Sequence, residues 1–215
     1  MIENKSGLSV GDSIEFGKDI WRILDIQDDM AFLLMEYAVM SMIPGIIKTA
    51  PYHDDHGPVT WETCSLRKYL NGKFLKKFTM EQQERIVEMK VYTPDNLWYG
   101  TPGGNDTYDK IFLPCIEDME NYFGGGNSYR ERDRKGWDHI NRKFYTDRNG
   151  GYFSDSHDSA RVAQSKGGGL VWWWLRSPGV DDRHVAVIQT GDVFVHGFYA
   201  SDKEGGIRPA LWLYI

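Results

Sequence analysis

Cysteines, signal sequences and long hydrophobic runs are all scarce or missing in this chain. Only Cys64 and Cys115 occur in 215 residues. Two cysteines cannot build a disulfide framework, and they form no Cys-x-x-Cys pair for zinc, so we expect small, partly buried thiols. The residues from Met1 to Lys5 lack a signal-peptide pattern, and no apolar run approaches the about 20 residues of a membrane span. The sequence therefore predicts a soluble protein made in the cytoplasm, without membrane insertion.

An excess of positive charge is also missing. The formal net charge is −6 at pH 7. Proteins that bind nucleic acid present a basic face to the phosphates, and docking to anionic lipid requires similar charge. We therefore expect neither nucleic acid nor an anionic membrane surface as a partner.

Aromatic residues, in contrast, are abundant, with eight tryptophans in the chain. Three of them stand in a row at Trp172, Trp173 and Trp174. Neighbouring residues of a strand point to opposite faces, so Trp172 and Trp174 share one face and Trp173 occupies the other. We favour structural burial of these rings, and an exposed aromatic platform for a sugar remains the alternative.

Two apolar anchors, at residues 171–179 and 205–215, each contain one arginine, Arg176 and Arg208. Both anchors are typical of buried strands. A buried guanidinium is costly unless it is paired. We expect acidic partners from the helical half of the chain, with Asp109 as a candidate.

The region between the anchors predicts an antiparallel hairpin. Val185 and Val187 alternate with their neighbours, as do Val193 and Val195, and Thr190-Gly191-Asp192 supplies the turn. One face of the hairpin is therefore predicted to lie in the core.

The other face, with the loops that enter and leave the hairpin, forms the candidate ligand-binding region, which we call the display surface. A mixture of rings with small polar and charged groups is typical of adaptable binding surfaces. Its residues are Val180, Asp181, Asp182, Arg183, His184, Phe194, His196, Phe198, Tyr199, Ser201 and Asp202.

Upstream, the apolar pattern predicts short strands and about three helices. Thr79 and Gln82 form a capping-box pattern at the start of the second helix. Expected strands cover residues 10–16, 20–26, 30–37, 89–93 and 111–113, and expected helices cover residues 60–78, 79–88 and 114–123.

Two loop segments contain residue types that bind metals. His53-Asp54-Asp55-His56 is the first, and Asp155, His157 and Asp158 form the second. Because Pro51 and Pro58 make a helix improbable around the first group, its two histidines need not share a face. We favour a solvated loop in both places and expect no metal and no cofactor.

The two anchors read WWLRSPG and GIRPALWL, and together they resemble the signature of a large family of uncharacterised bacterial and phage domains. Residues 59–61, 65–71 and 109–113 fit the same pattern. The resemblance implies an α+β, C-type-lectin-like (formylglycine-generating-enzyme-like) fold, with mixed antiparallel sheets, about three short helices and long irregular loops. It also implies a single domain over residues 1–215, with an irregular excursion at about 124–169 and a C-terminal display region at 171–215.

The functional implication is a non-catalytic module that binds a protein or glycan. Some relatives with this resemblance are hypervariable proteins of diversity-generating retroelements, which change codons at adenines. Gln189, Lys203 and Glu204 cannot be reached from asparagine codons in this way and count mildly against diversification at those positions. The resemblance also leaves open a place on a phage particle or another non-classical route to display.

Two other functions on a similar fold fit the sequence less well. Formylglycine-generating oxidases use paired cysteines near the C-terminal portion, and this chain has none after Cys115. Calcium-dependent lectins use Glu-Pro-Asn or Gln-Pro-Asp motifs, and neither occurs here. An oxidase, or another enzyme using His184 or His196, remains the alternative to ligand binding, and a calcium-dependent lectin is less favoured.

Overall fold

The computed structural model describes residues 7–39, 51–123, 151–153 and 156–215. The candidate ligand Asp155 and most of the predicted irregular excursion lie outside the described residues. None of the helices in the described ranges is long and apolar enough to cross a membrane.

Thirteen strands are present in the described part of the chain. In chain order they are β1 (Ser13–Phe16), β2 (Asp19–Gln27), β3 (Met30–Met35), β4 (Ile86–Val87), β5 (Met89–Val91), β6 (Thr107–Asp109), β7 (Tyr152–Phe153), β8 (Ala163–Gln164), β9 (Leu170–Val171), β10 (Trp173–Pro178), β11 (His184–Gln189), β12 (Asp192–Tyr199) and β13 (Ala210–Tyr214).

The helices are short. They are α1 (Ser65–Tyr69), α2 (Met80–Arg85), α3 (Ile116–Phe123) and α4 (Asp158–Arg161). The chain continues from α1 through a π-helical turn at Leu70–Phe74 and a 3-10 turn at Leu75–Lys77.

Two antiparallel sheets organise the molecule. The first has the strand order β1-β2-β3-β13-β4, and the second has the order β10-β11-β12-β7. In the first sheet, β13 pairs with β3 through Ala210 and Leu34 and with β4 through Leu213 and Ile86. The pairs β5-β6 and β8-β9 form two further small antiparallel sheets. The predicted α+β class, with small antiparallel sheets and few helices, is confirmed.

The predicted C-terminal hairpin is present as β11 and β12. Its two turn residues, Thr190 and Gly191, have φ values of 53° and 98°. Positive φ at both central residues is the geometry of a tight hairpin turn whose twist matches the strands. Along β12, buried valines alternate with half-buried aromatic side chains, so the predicted core face is confirmed.

Three predicted elements differ from the structure. The first helix begins at Ser65 rather than at residue 60, because the Cys64 thiol caps it by accepting from the Arg67 N–H. The second helix ends at Arg85 rather than Glu88, since the next two residues pair with β13 as β4. The predicted strand at 111–113 is wrong: Phe112 makes only an isolated bridge to Ala210.

The tryptophan run is mostly buried. Trp173 and Trp174 are completely inaccessible, whereas Trp172 is half-buried. The rings of Trp172 and Trp174 lie 4.8 Å apart, as expected for residues on one face. A Cβ added at Gly205 would come within 2.5 Å of both rings, so glycine is required where the second anchor crosses the first.

Arg176 and Arg208 are both buried, but their guanidinium groups have different partners. Arg176 forms an ion pair of 2.7 Å with Asp118 on α3, which confirms an acidic partner from the helical half. Arg208 has no ion-pair partner in the described part of the chain and donates to the Met35 carbonyl, with its guanidinium over the Trp173 ring. Burial lowers the pKa of Arg208 to about 10, although the charge of Glu36 raises it.

The expected pairing of Asp109 with one of these arginines is wrong. The Asp109 side chain is completely buried and accepts hydrogen bonds from Trp61, Arg67, Asn71 and Thr107. These donors come from the α1 region and from β6, so Asp109 holds the helical part together. Sequence separation gave no means of choosing Arg67 over the two C-terminal arginines.

We predict that Asp109→Ala strongly destabilises the fold, because it leaves the Arg67 charge and three polar groups without their acceptor. Breaking a buried ion pair costs about 3–5 kcal/mol, and urea unfolding would measure this loss.

Asp106→Ala is the matched control, because its partner Lys90 is exposed. The control should leave the free energy of unfolding nearly unchanged. Equal effects of the two substitutions would contradict the central role of Asp109.

Candidate functional site

One side of the second sheet carries a continuous row of rings. We call Trp172, Phe198, Phe194 and His196 the aromatic row. Successive ring centroids lie 4.8, 5.2 and 5.6 Å apart. These rings are only half-buried, and each follows from the alternation of side chains along a strand or its entry.

The row continues into a histidine pair and an exposed tyrosine. The His184 ring lies 5.4 Å from His196 and 4.1 Å from Tyr199. His184 is only 9% exposed, whereas Tyr199 is 54% exposed. His184 therefore supports the surface from below, and Tyr199 is the ring with most area open to a partner.

The display surface as predicted is brought together only in part. The exposed members are Asp182, Arg183 and Tyr199, and His184 is buried. The half-buried members are Val180, Asp181, Phe194, His196, Phe198, Ser201 and Asp202. The aromatic members form one connected set of ring contacts, and Ser201 instead faces a separate loop.

That loop is residues 52–59, and it was missed by the sequence analysis as a neighbour of the display surface. The Ser201 hydroxyl lies 2.8 Å from His56 Nδ1. The backbone N–H of His53 donates to the Ala200 carbonyl, and that of Val59 donates to the Asp182 carbonyl. Only the tertiary fold creates these contacts, so no local pattern could have indicated them.

The two histidines of this loop have different partners. The ring Nδ1 of His53 lies 3.2 Å from the Ser65 hydroxyl, while His56 contacts Ser201. Within the described ranges, no group of three or more His, Cys, Asp or Glu side chains is placed to hold a metal ion.

Asn96 is a second residue that sequence reasoning missed. Its buried side-chain amide donates to the carbonyls of Pro178, Gly179 and Val195. These three carbonyls belong to the strand ends and loop that carry the display surface. Asparagine in a turn-rich segment has no sequence signature for this role.

Backbone geometry also fixes the aromatic row. Gly197 has a φ of 77°, and a Cβ there would lie 2.2 Å from the Val185 carbonyl oxygen. The register of β11 against β12 shifts at this point, which is the pattern of a β-bulge at a glycine. The bulge lies between His196 and Phe198 and so sets how their rings are spaced.

The Asp181–His184 contact is the strongest electrostatic feature of the surface. His184 Nδ1 lies 2.6 Å from Asp181 Oδ1, and Arg183 contacts the other carboxylate oxygen at 3.2 Å. Partial burial raises the pKa of Asp181, but hydrogen bonds from His184 and the Arg183 N–H outweigh it and lower the pKa to about 2.

The remaining imidazole of the display surface and the two thiols have different surroundings. His196 Nδ1 lies 3.2 Å from the neighbouring Gly197 carbonyl oxygen. Burial raises the pKa of Cys64 to about 12 and raises that of Cys115 as well. A thiol must ionise to act as a nucleophile, so neither cysteine is activated.

The family assignment follows from comparison with protein-family models. The model of the domain of unknown function DUF6273 matches residues 28–215. The chain belongs to this family. The DUF6273 match includes β3, the second sheet and the whole display surface. No curated protein and no solved structure matches the chain.

The pKa of Asp181 predicts a pH-dependent contribution to stability. The folded-state pKa is depressed, so the contact stabilises the fold fully above the ordinary value of about 4. This stabilisation disappears as the pH falls through about 2. Because the Asp181 carboxylate is 39% exposed, solvent screening keeps the effect modest. The free-energy difference between wild type and Asp181→Asn should therefore be modest but measurable at pH 5 and be lost below about pH 2, as measured by urea unfolding.

Asp182→Asn is the control for this experiment, because the Asp182 carboxylate does not contact His184. Its effect should be small at every pH. A difference between wild type and Asp181→Asn that stays constant from pH 5 to pH 2 would contradict the assignment.

Proposed function

We propose that this chain is a non-catalytic ligand-binding module and that the display surface contacts a protein or a glycan. The observation that carries the proposal is the aromatic row leading to exposed Tyr199. Rings that are only half-buried leave apolar area for a partner. The neighbouring Asp182 and Arg183 side chains are exposed and can add hydrogen bonds or ion pairs.

The backbone under this surface supports a binding role. Asn96, the Gly197 bulge and the 52–59 loop hold the carbonyls and strand ends in place. A surface already fixed before binding loses less conformational entropy when the partner arrives. The side chains can therefore vary while the main chain stays the same.

The proposed architecture is a C-type-lectin-like fold. Two antiparallel sheets with few short helices are compatible with it, and the two signature anchors supply β10 and β13. In this proposal the anchors are the constant frame and the β11-β12 hairpin carries the variable positions.

Several observations support a binding module over an enzyme. Both cysteines are buried and far from ionised at neutral pH, which disfavours a cysteine-dependent oxidase. His184 is held by Asp181, and Ser201 contacts His56 instead of His184 or His196. Within the described residues, no serine hydroxyl contacts the imidazole of His184 or His196.

The proposal also includes diversification of the display surface by a retroelement. The exposed positions Asp182, Arg183 and Tyr199 could change without disturbing the core. Buried His184 is different, since its ring packs against His196 and Tyr199 and is held by Asp181. We expect this position to vary less than its exposed neighbours.

Truncation of the exposed side chains tests ligand binding. We predict that Tyr199→Ala combined with Arg183→Ala lowers binding to a glycan array or a panel of bacterial surface proteins by at least about tenfold, since aromatic and arginine side chains dominate interface energies. The melting temperature should stay close to that of wild type, because both side chains are exposed.

Tyr108→Ala is the matched control, because Tyr108 is 64% exposed but lies on β6, outside the display surface. It should change neither binding nor stability. A steep fall in melting temperature for the Tyr199 and Arg183 variant would show that these residues are structural, and unchanged binding would also reject the proposal.

The retroelement hypothesis is tested by sequencing the DNA that flanks the gene. We expect a near-copy of the segment encoding residues 172–213 that differs only at adenines, beside a reverse-transcriptase gene. The differing codons should fall on exposed or half-buried display positions. Absence of such a copy would leave a module with a fixed ligand.

A further inference from the structure

A cavity lies away from the display surface, between the first sheet, β5 and α3. Its floor consists of the rings of Phe32, Phe112 and Trp212. The Phe32 ring lies 5.9 Å from that of Phe112 and 5.2 Å from that of Trp212, nearly parallel to both.

The volume of this cavity is about 250 Å³, which is slightly below the range of pockets that hold drug-sized ligands. It offers room for a ligand built on a single ring.

The cavity also has a polar side, formed by Asp118, Arg176 and Tyr122. The Arg176 guanidinium donates to the carbonyls of Leu113 and Tyr92 and to Asp118 Oδ2. Asp118 Oδ2 also accepts from the Cys115 backbone N–H, and the Asp118 side chain is only partly buried. The Tyr122 hydroxyl has no hydrogen-bond partner among the described residues. A carboxylate can accept about four hydrogen bonds, so the Asp118 carboxylate and the Tyr122 hydroxyl can both meet a ligand.

The charge around this polar side favours a cation. The pKa of Tyr122 is raised to about 12, mainly by burial and also by the negative charges of Asp118 and Asp25, against the opposing charge of Arg176. The potential at the Tyr122 hydroxyl is therefore negative on balance. Aromatic rings also attract cations through their electron-rich faces.

We propose that this cavity binds a small aromatic amine. The ring of the ligand packs against Phe32, Phe112 and Trp212, and its protonated amine donates to Asp118. Neither the display surface nor its proposed ligand enters this inference, so the two proposals succeed or fail separately.

Three probes with the same ring test the proposal: benzylamine, benzyl alcohol and benzoate. The eight tryptophans give separate indole N–H signals in ¹H–¹⁵N spectra, and Trp212→Phe assigns the signal of Trp212. We expect benzylamine to shift the Trp212 signal and to bind at least about tenfold more tightly than benzoate, with benzyl alcohol between them.

Two variants of the intact chain locate the site. Met89→Phe places a larger side chain at the cavity wall and should abolish the benzylamine shift. Asp118→Asn removes the proposed charge partner and should remove the preference for the amine. Glu81→Gln removes an exposed acidic group on α2, away from the cavity, and should change nothing.

Equal binding of the three probes would overturn the proposal, as would a Trp212 signal that stays unchanged at millimolar benzylamine. A shift confined to the Trp172 signal would place the amine on the aromatic row and would overturn it too. Met89→Phe keeps the test decisive if Asp118→Asn does not fold, because it leaves the Arg176 ion pair intact.

Discussion

The side chain of Arg176 is the interaction on which the arrangement of the two halves depends. Its guanidinium reaches the Tyr92 carbonyl, the Leu113 carbonyl and Asp118. A single side chain from the second sheet thereby holds the segment after β5, the loop before α3 and α3 itself. Because the group is buried, each of these acceptors is needed to offset the loss of water around the charge.

Local chemistry made much of the fold predictable, and tertiary contacts explain what was missed. The Thr79–Gln82 capping box and the β11-β12 hairpin follow from residues close in sequence, and both are present. The partner of Asp109 is set by how α1 packs against β6, which no local pattern contains. Likewise, the display surface was predicted from alternation along β12, whereas the neighbouring 52–59 loop is brought there by the fold.

Several side chains of the display surface must both contact a partner and pack against the rest of the fold. The rings of the aromatic row, His184 and Tyr199 contact one another in turn, yet only some have substantial exposed area. Phe194 and Phe198 are therefore both contact residues and packing residues. Changes at such positions would alter binding and local packing together, whereas Arg183 and Tyr199 are freer to change.

The position of β13 in the first sheet has a consequence for folding. It lies between β3 and β4, and Ala210 pairs with Leu34, so the paired residues are separated by most of the sequence. Until β13 has been synthesised, the apolar face and the backbone groups of β3 lack their neighbour on that side. Pairing over so long a separation closes a large loop, which slows folding. The N-terminal hairpin must therefore remain protected from aggregation while the rest of the chain is made.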